Sequence, residues 1–171
     1  MTDPVRVHVA LGANMGDPRA QVRQAMHALD GLAGTRLVAK SGLYVTPPWG
    51  VTRQPDFINA AVALDTTLSA HELLQALQAL EADAGRRRDG MRNGPRPLDL
   101  DLLLYGRMRI DDTDLQIPHP RMHQRAFVLL PLAEIAAAEV VPGCGVVRDL
   151  LASVDASGCR RLDVAPTDGA T

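Results

Sequence analysis

The segment GPRPLDLDLLLYG constrains the fold more than any other part of this 171-residue chain. Side chains alternate between the two faces of a β-strand, so Leu98, Leu100 and Leu102 share one face while Asp99 and Asp101 share the other. We therefore predict a strand whose leucine face is buried in the core. The two aspartates repel each other, and a carboxylate is costly to bury unpaired, so a positive group should share their face.

The segments before this strand predict an α+β domain. VRVHVAL and FINAAVALDT are typical of strands, and a further strand is predicted from about Arg36 to Val45. Asp17 and Pro18 are suited to begin one helix, and Ser69 and Glu72 form a capping-box pattern before a second. The order β-α-β-β-α-β indicates a ferredoxin-like sandwich, in which helices on one face flank a central antiparallel sheet.

The segments after the aspartate strand predict smaller elements. YGRMRIDD and LQIPHPRM suggest a hairpin, and AFVLLPLAEIAAAEVVP a short helix that is broken or begins near Pro131. A last small helix is expected from Val146 to Val154. We expect a single domain over residues 1–158 and a flexible tail over residues 159–171.

Composition narrows the class of protein. A formal net charge of −2 gives no overall attraction to nucleic acid, and no apolar run reaches the ~18–20 residues of a membrane helix. The first residues lack a signal-peptide pattern, and two cysteines are too few for a disulfide framework. We expect a cytoplasmic protein, monomeric, with small-molecule substrates and neither a nucleic-acid nor a membrane partner.

The aspartate pair has two interpretations on the residues alone. It either faces water or holds Mg²⁺, which prefers carboxylate oxygens and also binds phosphate oxygens. The glycine-punctuated loop GRRRDGMRNGPR leads directly into this strand, and its basic residues are Arg86, Arg87, Arg88, Arg92 and Arg96. Carboxylates, Mg²⁺ and guanidinium groups together suit a polyphosphate, so nucleotide chemistry is favoured.

Two further clusters contain the scarce aromatic residues. In TPPWG and QPDFIN, Trp49, Phe57 and Asn59 could form a flat binding slot, with Asn59 on the same strand face as Phe57. In IPHPRMHQRAF, His119 is fixed between prolines and could contact phosphate, with Arg125 adding charge and Phe127 a second ring. His8 and His123 have no such context, and we expect them at the surface or locally bonded.

In combination, RNGPRPLDLDLLLYG, LGANMGD, YVTPPWG…QPDFINAAV and IPHPRMHQRAFVLLPL resemble the 6-hydroxymethyl-7,8-dihydropterin pyrophosphokinases of folate biosynthesis over roughly residues 5–145. The resemblance implies a ferredoxin-like fold with mobile loops over the active site. It also implies the reaction, in which ATP gives its β,γ-pyrophosphoryl group to the pterin's hydroxymethyl oxygen and AMP is released. Asp99 and Asp101 would hold two Mg²⁺ ions.

The same resemblance implies roles for individual residues. The pterin would lie between Phe57 and Phe127, with Asn59 at its edge. Backbone groups would complete the pterin contacts near Thr46, Pro47 and Trp49. The residues expected near ATP are Gln78, Glu81, Arg86, Arg88, Arg92, Arg96, Leu102, His119 and Arg125. The residues expected to be catalytic are Asp99, Asp101, Arg86 and Arg96.

Two departures and three alternatives accompany this interpretation. Asn93 stands where relatives often have an aromatic residue, and Trp49 stands where they commonly have a small aliphatic residue. We expect Trp49 to supply some of the missing cover. An ordinary Mg²⁺-dependent kinase or nucleotidyltransferase would release ADP or pyrophosphate instead of AMP. A ferredoxin-like binding module would show no turnover, and an RNA-binding protein would bind in a salt-sensitive manner.

Overall fold

The computed structural model describes residues 3–48, 53–85 and 97–162. The strands are β1 (Val5–Ala13), β2 (Thr35–Lys40), β3 (Tyr44–Thr46), β4 (Phe57–Thr66), β5 (Asp99–Tyr105), β6 (Ile110–Asp111), β7 (Gln116–Ile117), β8 (Val140–Val141), β9 (Gly145–Val146) and β10 (Arg160–Arg161). The helices are α1 (Pro18–Asp30), α2 (Ala70–Asp83), α3 (Ala126–Ala136) and α4 (Val147–Ala152), and a 3₁₀ turn spans Met122–Gln124.

The main sheet has the strand order β10-β3-β4-β1-β5, and β2 pairs with β4 beside β3. Every pairing is antiparallel. If β2 and β3 are taken as two parts of one strand, the order is that of a split βαβ, or ferredoxin-like, sheet. The predicted fold class is confirmed.

One face of the sheet packs on α1 and α2. The predicted leucine face of β5 belongs to this layer, because Leu98, Leu100 and Leu102 are buried in the same apolar cluster as Leu29 of α1 and Leu77 of α2. Both helix starts are confirmed. The Asp17 side chain accepts a hydrogen bond from the Ala20 backbone N–H at 3.2 Å, and Ser69 and Glu72 form a capping box.

The other face of the sheet is covered as well, which corrects the expectation of helices on one face. Ala10, Ala61 and Leu103 point to this second side, where Leu129 and Leu132 of α3 are fully buried against them. The sheet is therefore a middle layer. The small alanines of β1 and β4 allow α3 to approach closely, and the site described below lies on this face.

The strand predicted from Arg36 to Val45 is interrupted. It forms β2 and β3, separated by residues 41–43. Ser41 explains the break, because its hydroxyl oxygen accepts a hydrogen bond from the Ala61 backbone N–H at 2.9 Å, where a strand would offer a carbonyl. Its own backbone N–H donates to the Ala61 carbonyl oxygen at 2.9 Å. β3 can therefore leave the line of β2 while remaining attached to β4.

Three expectations for the last third of the chain are tested. The hairpin is confirmed as β6 and β7, and the last small helix is α4. The helix expected to break or begin near Pro131 instead begins at Ala126 and continues through Pro131. Packing of its buried leucines against the sheet compensates for the one helical hydrogen bond that proline cannot donate.

Two residues of the expected tail pair with the main sheet. Arg160 and Arg161 form β10, opposite Val45 and Tyr44 of β3, while residues 163–171 lie outside the described part of the chain. Among the described residues, no helix is both long enough and apolar enough to cross a membrane.

Candidate active site

A pocket lies on the α3 face of the sheet, where the first turn of α3 meets β1, β3, β4 and β5. Its lining residues are Ala10, Leu11, Gly12, Thr46, Pro47, Phe57, Asn59, Asp99, Asp101, Arg125, Phe127 and Val128. The residues come from five segments that are far apart in sequence. The fold thus brings together one amide, two carboxylates, one guanidinium and two aromatic rings.

Strand register fixes the spacing of the polar groups. Gly12 of β1 lies opposite Asn59 of β4 on one side and opposite Asp99 of β5 on the other, and Ala10 lies opposite Asp101. Neighbouring strands lie about 4.8 Å apart, so the backbones of Asn59 and Asp99 are separated by roughly 10 Å across Gly12. A flat molecule one or two rings wide can bridge that distance.

Asp99 and Asp101 share the pocket face, as the alternation of the strand predicts. Both are half-buried, and their Cα atoms are about 7 Å apart along β5. Two carboxylates at this separation can each contribute an oxygen to cations bound between them. The donor set is hard oxygen, which suits Mg²⁺ and does not suit a soft metal.

Asn59 is the buried amide of the pocket, at 8% exposure. Its Nδ2 donates a hydrogen bond to the Thr46 hydroxyl at 2.6 Å. The opposite end of the amide faces Gly12, where an added Cβ would lie only 2.6 Å from Oδ1. Thr46 and Gly12 therefore hold the amide plane, and a glycine is required at position 12 because its neighbour's side chain crosses over it.

Phe57 and Phe127 supply the two rings. Phe57 begins β4 opposite Thr46, and Phe127 is in the first turn of α3. Both rings line the same pocket, together with Pro47. The Arg125 guanidinium carbon lies 5.5 Å from the Phe127 ring centroid, a cation–π distance. This contact positions one positive charge at the edge of the aromatic slot.

His119 is half-buried at the outer edge of β5, where its backbone N–H donates to the Leu103 carbonyl oxygen at 3.0 Å. Burial, reinforced by the positive charges of Arg125 and Arg121, lowers the pKa of His119 to about 4, although the charge of Asp99 opposes the shift. The ring is therefore neutral at pH 7. Its Nδ1 accepts a hydrogen bond from the Arg121 backbone N–H at 3.3 Å, so the proton is on Nε2.

A second depression adjoins the first at the outer edge of β5. It is lined by Leu74, Leu100, Asp101, Leu102, Thr113, Asp114, Leu115, Gln116, His119 and Pro120. Asp101 lines both depressions, so the two adjoin at this residue. Leu102, itself in the core, contributes to the apolar wall of the second depression.

Glu81 and Gln78 lie three residues apart on α2. Glu81 is 7% exposed, and its Oε2 accepts a hydrogen bond from the Leu100 backbone N–H at 2.8 Å. Leu100 lies between Asp99 and Asp101, so this hydrogen bond holds the β5 backbone in place at both aspartates. Gln78 is half-buried on the same side of the helix.

Several sequence-predicted residues lie outside the described part of the chain. They are Trp49, Arg86, Arg88, Arg92 and Arg96, together with Asn93. Their predicted roles stay predictions.

Sequence reasoning missed two residues and misjudged a third. Gly12 has the clearest signal, since a glycine inside a strand pattern often indicates a close approach. Asn14 is buried at the end of β1, and its Nδ2 donates to the Gln54 side-chain oxygen at 2.8 Å and to the Pro55 carbonyl oxygen at 3.0 Å.

His8, expected at the surface or locally bonded, is 3% exposed, and burial together with the charge of Arg6 lowers its pKa to about 4.

Comparison with known proteins gives a consistent result. Residues 8–137 match the family model of 7,8-dihydro-6-hydroxymethylpterin-pyrophosphokinase. The chain is 48% identical over 157 residues to a 2-amino-4-hydroxy-6-hydroxymethyldihydropteridine pyrophosphokinase of Pseudomonas aeruginosa, covering 92% of this chain and 96% of that one. It is 46% identical over 158 residues to the enzyme of the same name from Methylorubrum extorquens, covering 92% and 99% of the two chains.

Solved structures agree in fold. An HPPK-DHPS crystallised with substrates superposes with a TM-score of 0.75 at 13% identity, covering 95% of this chain and 47% of that chain. The chain therefore spans about half of that longer solved protein. Taken with the family match over residues 8–137, the relatives show that the chain belongs to the 7,8-dihydro-6-hydroxymethylpterin-pyrophosphokinase family.

Proposed function

We propose that this chain transfers the β,γ-pyrophosphoryl group of ATP to the hydroxymethyl oxygen of 6-hydroxymethyl-7,8-dihydropterin, a step of folate biosynthesis that releases AMP. The pterin lies in the slot between Phe57 and Phe127, and the Asn59 amide donates and accepts hydrogen bonds at its edge. Backbone groups near Thr46, Pro47 and Trp49 complete its contacts. The observation that carries the proposal is the cross-strand row in which Gly12 separates Asn59 from Asp99.

Asp99 and Asp101 fit a pair of Mg²⁺ ions, because they offer hard oxygen donors side by side on the face that Asn59 also lines. When bound there with ATP, Mg²⁺ supplies positive charge that neutralises the phosphate oxygens. Glu81 supports this role indirectly, since its hydrogen bond to Leu100 holds the strand between the two carboxylates.

The nucleotide lies in the second depression, with its phosphates directed toward Asp101 and the base toward the apolar wall that includes Leu102. Neutral His119 donates from Nε2 to a phosphate oxygen, and Arg125 adds a full charge beside Phe127. Gln78 and Glu81 lie on the nucleotide side, and Arg86, Arg88, Arg92 and Arg96 meet the phosphates. The pterin hydroxyl attacks the β-phosphorus in line with the departing AMP oxygen.

A product assay tests the proposal. The protein is incubated with ATP, Mg²⁺ and the hydroxymethyl-dihydropterin, and the nucleotides are separated, with Asp101→Ala run in parallel. We expect AMP only when the pterin is present, and a loss of at least ~10²-fold in the variant because a ligand of the charge-neutralising ions is removed. ADP would show a conventional kinase, pyrophosphate a nucleotidyltransferase, and no turnover a binding module; each of these results contradicts the proposal.

The expected domain and assembly are also part of the proposal. One domain, expected over residues 1–158 and extended by β10, acts as a monomer in the cytoplasm, where both substrates are available. Among the described residues, the large apolar side chains that are exposed are Met15 and Met108, too few for an extensive apolar interface. Light scattering at working concentration checks the monomer.

A further inference from the structure

The C-terminal strand β10 lies outside residues 8–137, the part of the chain that the family model matches. It is nevertheless next to the site. Arg160 and Arg161 pair with Val45 and Tyr44 of β3, whose last residue is Thr46. β3 is only three residues long, so its position depends strongly on its neighbours: β4 on one side and β10 on the other.

Glu134 of α3 connects these elements. Its carboxylate accepts hydrogen bonds from Arg161 Nε at 3.2 Å, from the Tyr44 hydroxyl at 2.7 Å and from the Gly42 backbone N–H at 3.1 Å. Burial alone would raise the pKa of Glu134, but these three donors outweigh it and hold the pKa below its usual value. The carboxylate therefore stays ionised and joins α3, β3 and β10.

Close packing shows how tightly β10 and the residues before it fit. A Cβ on Gly42 would lie 2.7 Å from the nearest guanidinium nitrogen of Arg161, so the guanidinium lies flat over that glycine. A Cβ on Gly158 would lie 3.3 Å from the Pro47 ring. The segment leading into β10 thus supports Pro47 from outside the pocket.

Movement of β3 would be transmitted to the amide of Asn59. Tyr44 lies opposite Asn59 in the sheet, and Thr46 accepts the hydrogen bond from Asn59 Nδ2 at 2.6 Å. A shift of β3 by a few tenths of an ångström would change that hydrogen bond directly. Asp99 and Asp101 are on β5, which two strands, β4 and β1, separate from β3, and they would not move with β3.

We propose that Arg161 is a positioning residue for pterin recognition: through Glu134 it holds β3 so that Thr46 orients the Asn59 amide. The C-terminal strand is then part of the substrate site's support. This inference rests on the proposed placement of the pterin between Phe57 and Phe127.

The test compares Arg161→Ala with Arg161→Lys and with Arg160→Ala in the full chain. Arg160 is a matched control, because it is in the same strand and its side chain has no hydrogen bond or ion pair to the described residues. In Arg161→Ala we expect the KM for the pterin to rise on the order of 5-fold, roughly the effect of weakening one hydrogen bond, while the KM for ATP stays within about 2-fold. Arg161→Lys should recover part of the loss, and Arg160→Ala should resemble wild type.

A purely structural role predicts a different result, namely a lower melting temperature with an unchanged pterin KM, or equal increases in both KM values. Either would overturn the inference. Asn59→Ala separates it from the proposal on which it rests. If Asn59→Ala leaves the pterin KM unchanged, the placement of the pterin is wrong; if that variant raises it and Arg161→Ala does not, only the role of Arg161 is wrong.

Discussion

Gly12→Ala is the most informative single-residue change, because it adds one methyl group at the centre of the proposed site. The new Cβ would lie 2.6 Å from Oδ1 of Asn59, and Cβ atoms essentially never lie within 3.0 Å of a heavy atom beyond their own residue and its chain neighbours, so the amide must retreat by about 0.4 Å. It cannot simply rotate away, since its Nδ2 is bonded to Thr46 at 2.6 Å and the side chain is buried.

Two opposing effects determine the magnitude. Weakening the Asn59–Thr46 hydrogen bond costs about 1 kcal/mol, and overpacking adds a further ~1 kcal/mol. Replacing a strand glycine with alanine returns roughly 0.5–1 kcal/mol of backbone entropy. The unfolding free energy should therefore fall by only about 1 kcal/mol. Pterin affinity should fall about 10-fold or more, because a misplaced amide loses one or two of its hydrogen bonds to the ligand at ~1 kcal/mol each.

Calorimetric titration of the pterin and urea unfolding measure these two quantities separately. Gly31→Ala is the matched control, since Gly31 has an ordinary helical φ of −91° and an added Cβ would meet its nearest neighbour at 3.5 Å. In the double variant with Asn59→Ala, the alanine at position 12 should cause little further loss of affinity, because the group that it displaces is gone. An unchanged pterin affinity in Gly12→Ala would refute the reasoning.

Two further predictions concern stability. Replacing Glu81 with Leu leaves the Leu100 N–H without its acceptor, so urea unfolding should show a decrease of about 1–3 kcal/mol in the unfolding free energy. Glu81→Gln should show a smaller decrease, because its amide oxygen can still accept the hydrogen bond. Equal decreases in the two variants would contradict this role. The second prediction concerns His8, whose pKa is about 4 in the folded chain and 6.5 in the unfolded chain. Between these values the unfolded chain binds a proton that the folded chain does not. The contribution of His8 to the unfolding free energy is therefore fully present above pH 6.5 and is lost as the pH falls to about 4. Urea unfolding at pH 7, 6 and 5 should show that the unfolding free energy of His8→Asn falls less steeply with decreasing pH than that of wild type. We expect the two slopes to differ by about 1 kcal/mol per pH unit, and parallel slopes would contradict the burial of a neutral histidine.

The elements that the sequence predicts best have strong local signals. The strand β1, the capping box of α2 and the 10-residue strand β4 are each specified within one short segment, and each is confirmed, although both faces of β1 are buried from Val7 onward. The aspartate face of β5 follows from the same period of two. These signals are reliable because each acts within one short segment and needs no partner that is distant in sequence.

The missed elements depend on partners distant in sequence. The nearly uniform apolarity of AFVLLPLAEIA does not show which side of α3 is buried, so the second helical layer could not be inferred. The break between β2 and β3 depends on Ser41 meeting Ala61, and β10 depends on β3 being available to pair. In both cases the two partners are too far apart in the sequence to occur together in one short segment.

The site shows the same division between local and distant signals. Asp99 and Asp101 could be assigned to one face from their spacing alone, and Phe57 and Asn59 likewise. The spacing of residues within one strand does not show that Gly12 lies between Asn59 and Asp99. That arrangement depends on the pairing of β1 with both β4 and β5. The Leu11 side chain is buried in the apolar cluster of the opposite face, so on this face β1 presents only Ala10 and Gly12. β4 and β5 can therefore place their functional side chains over a nearly flat backbone floor. The functional side chains are on β4 and β5, the two strands that flank β1, and the small residues of β1 give a planar substrate room to reach both.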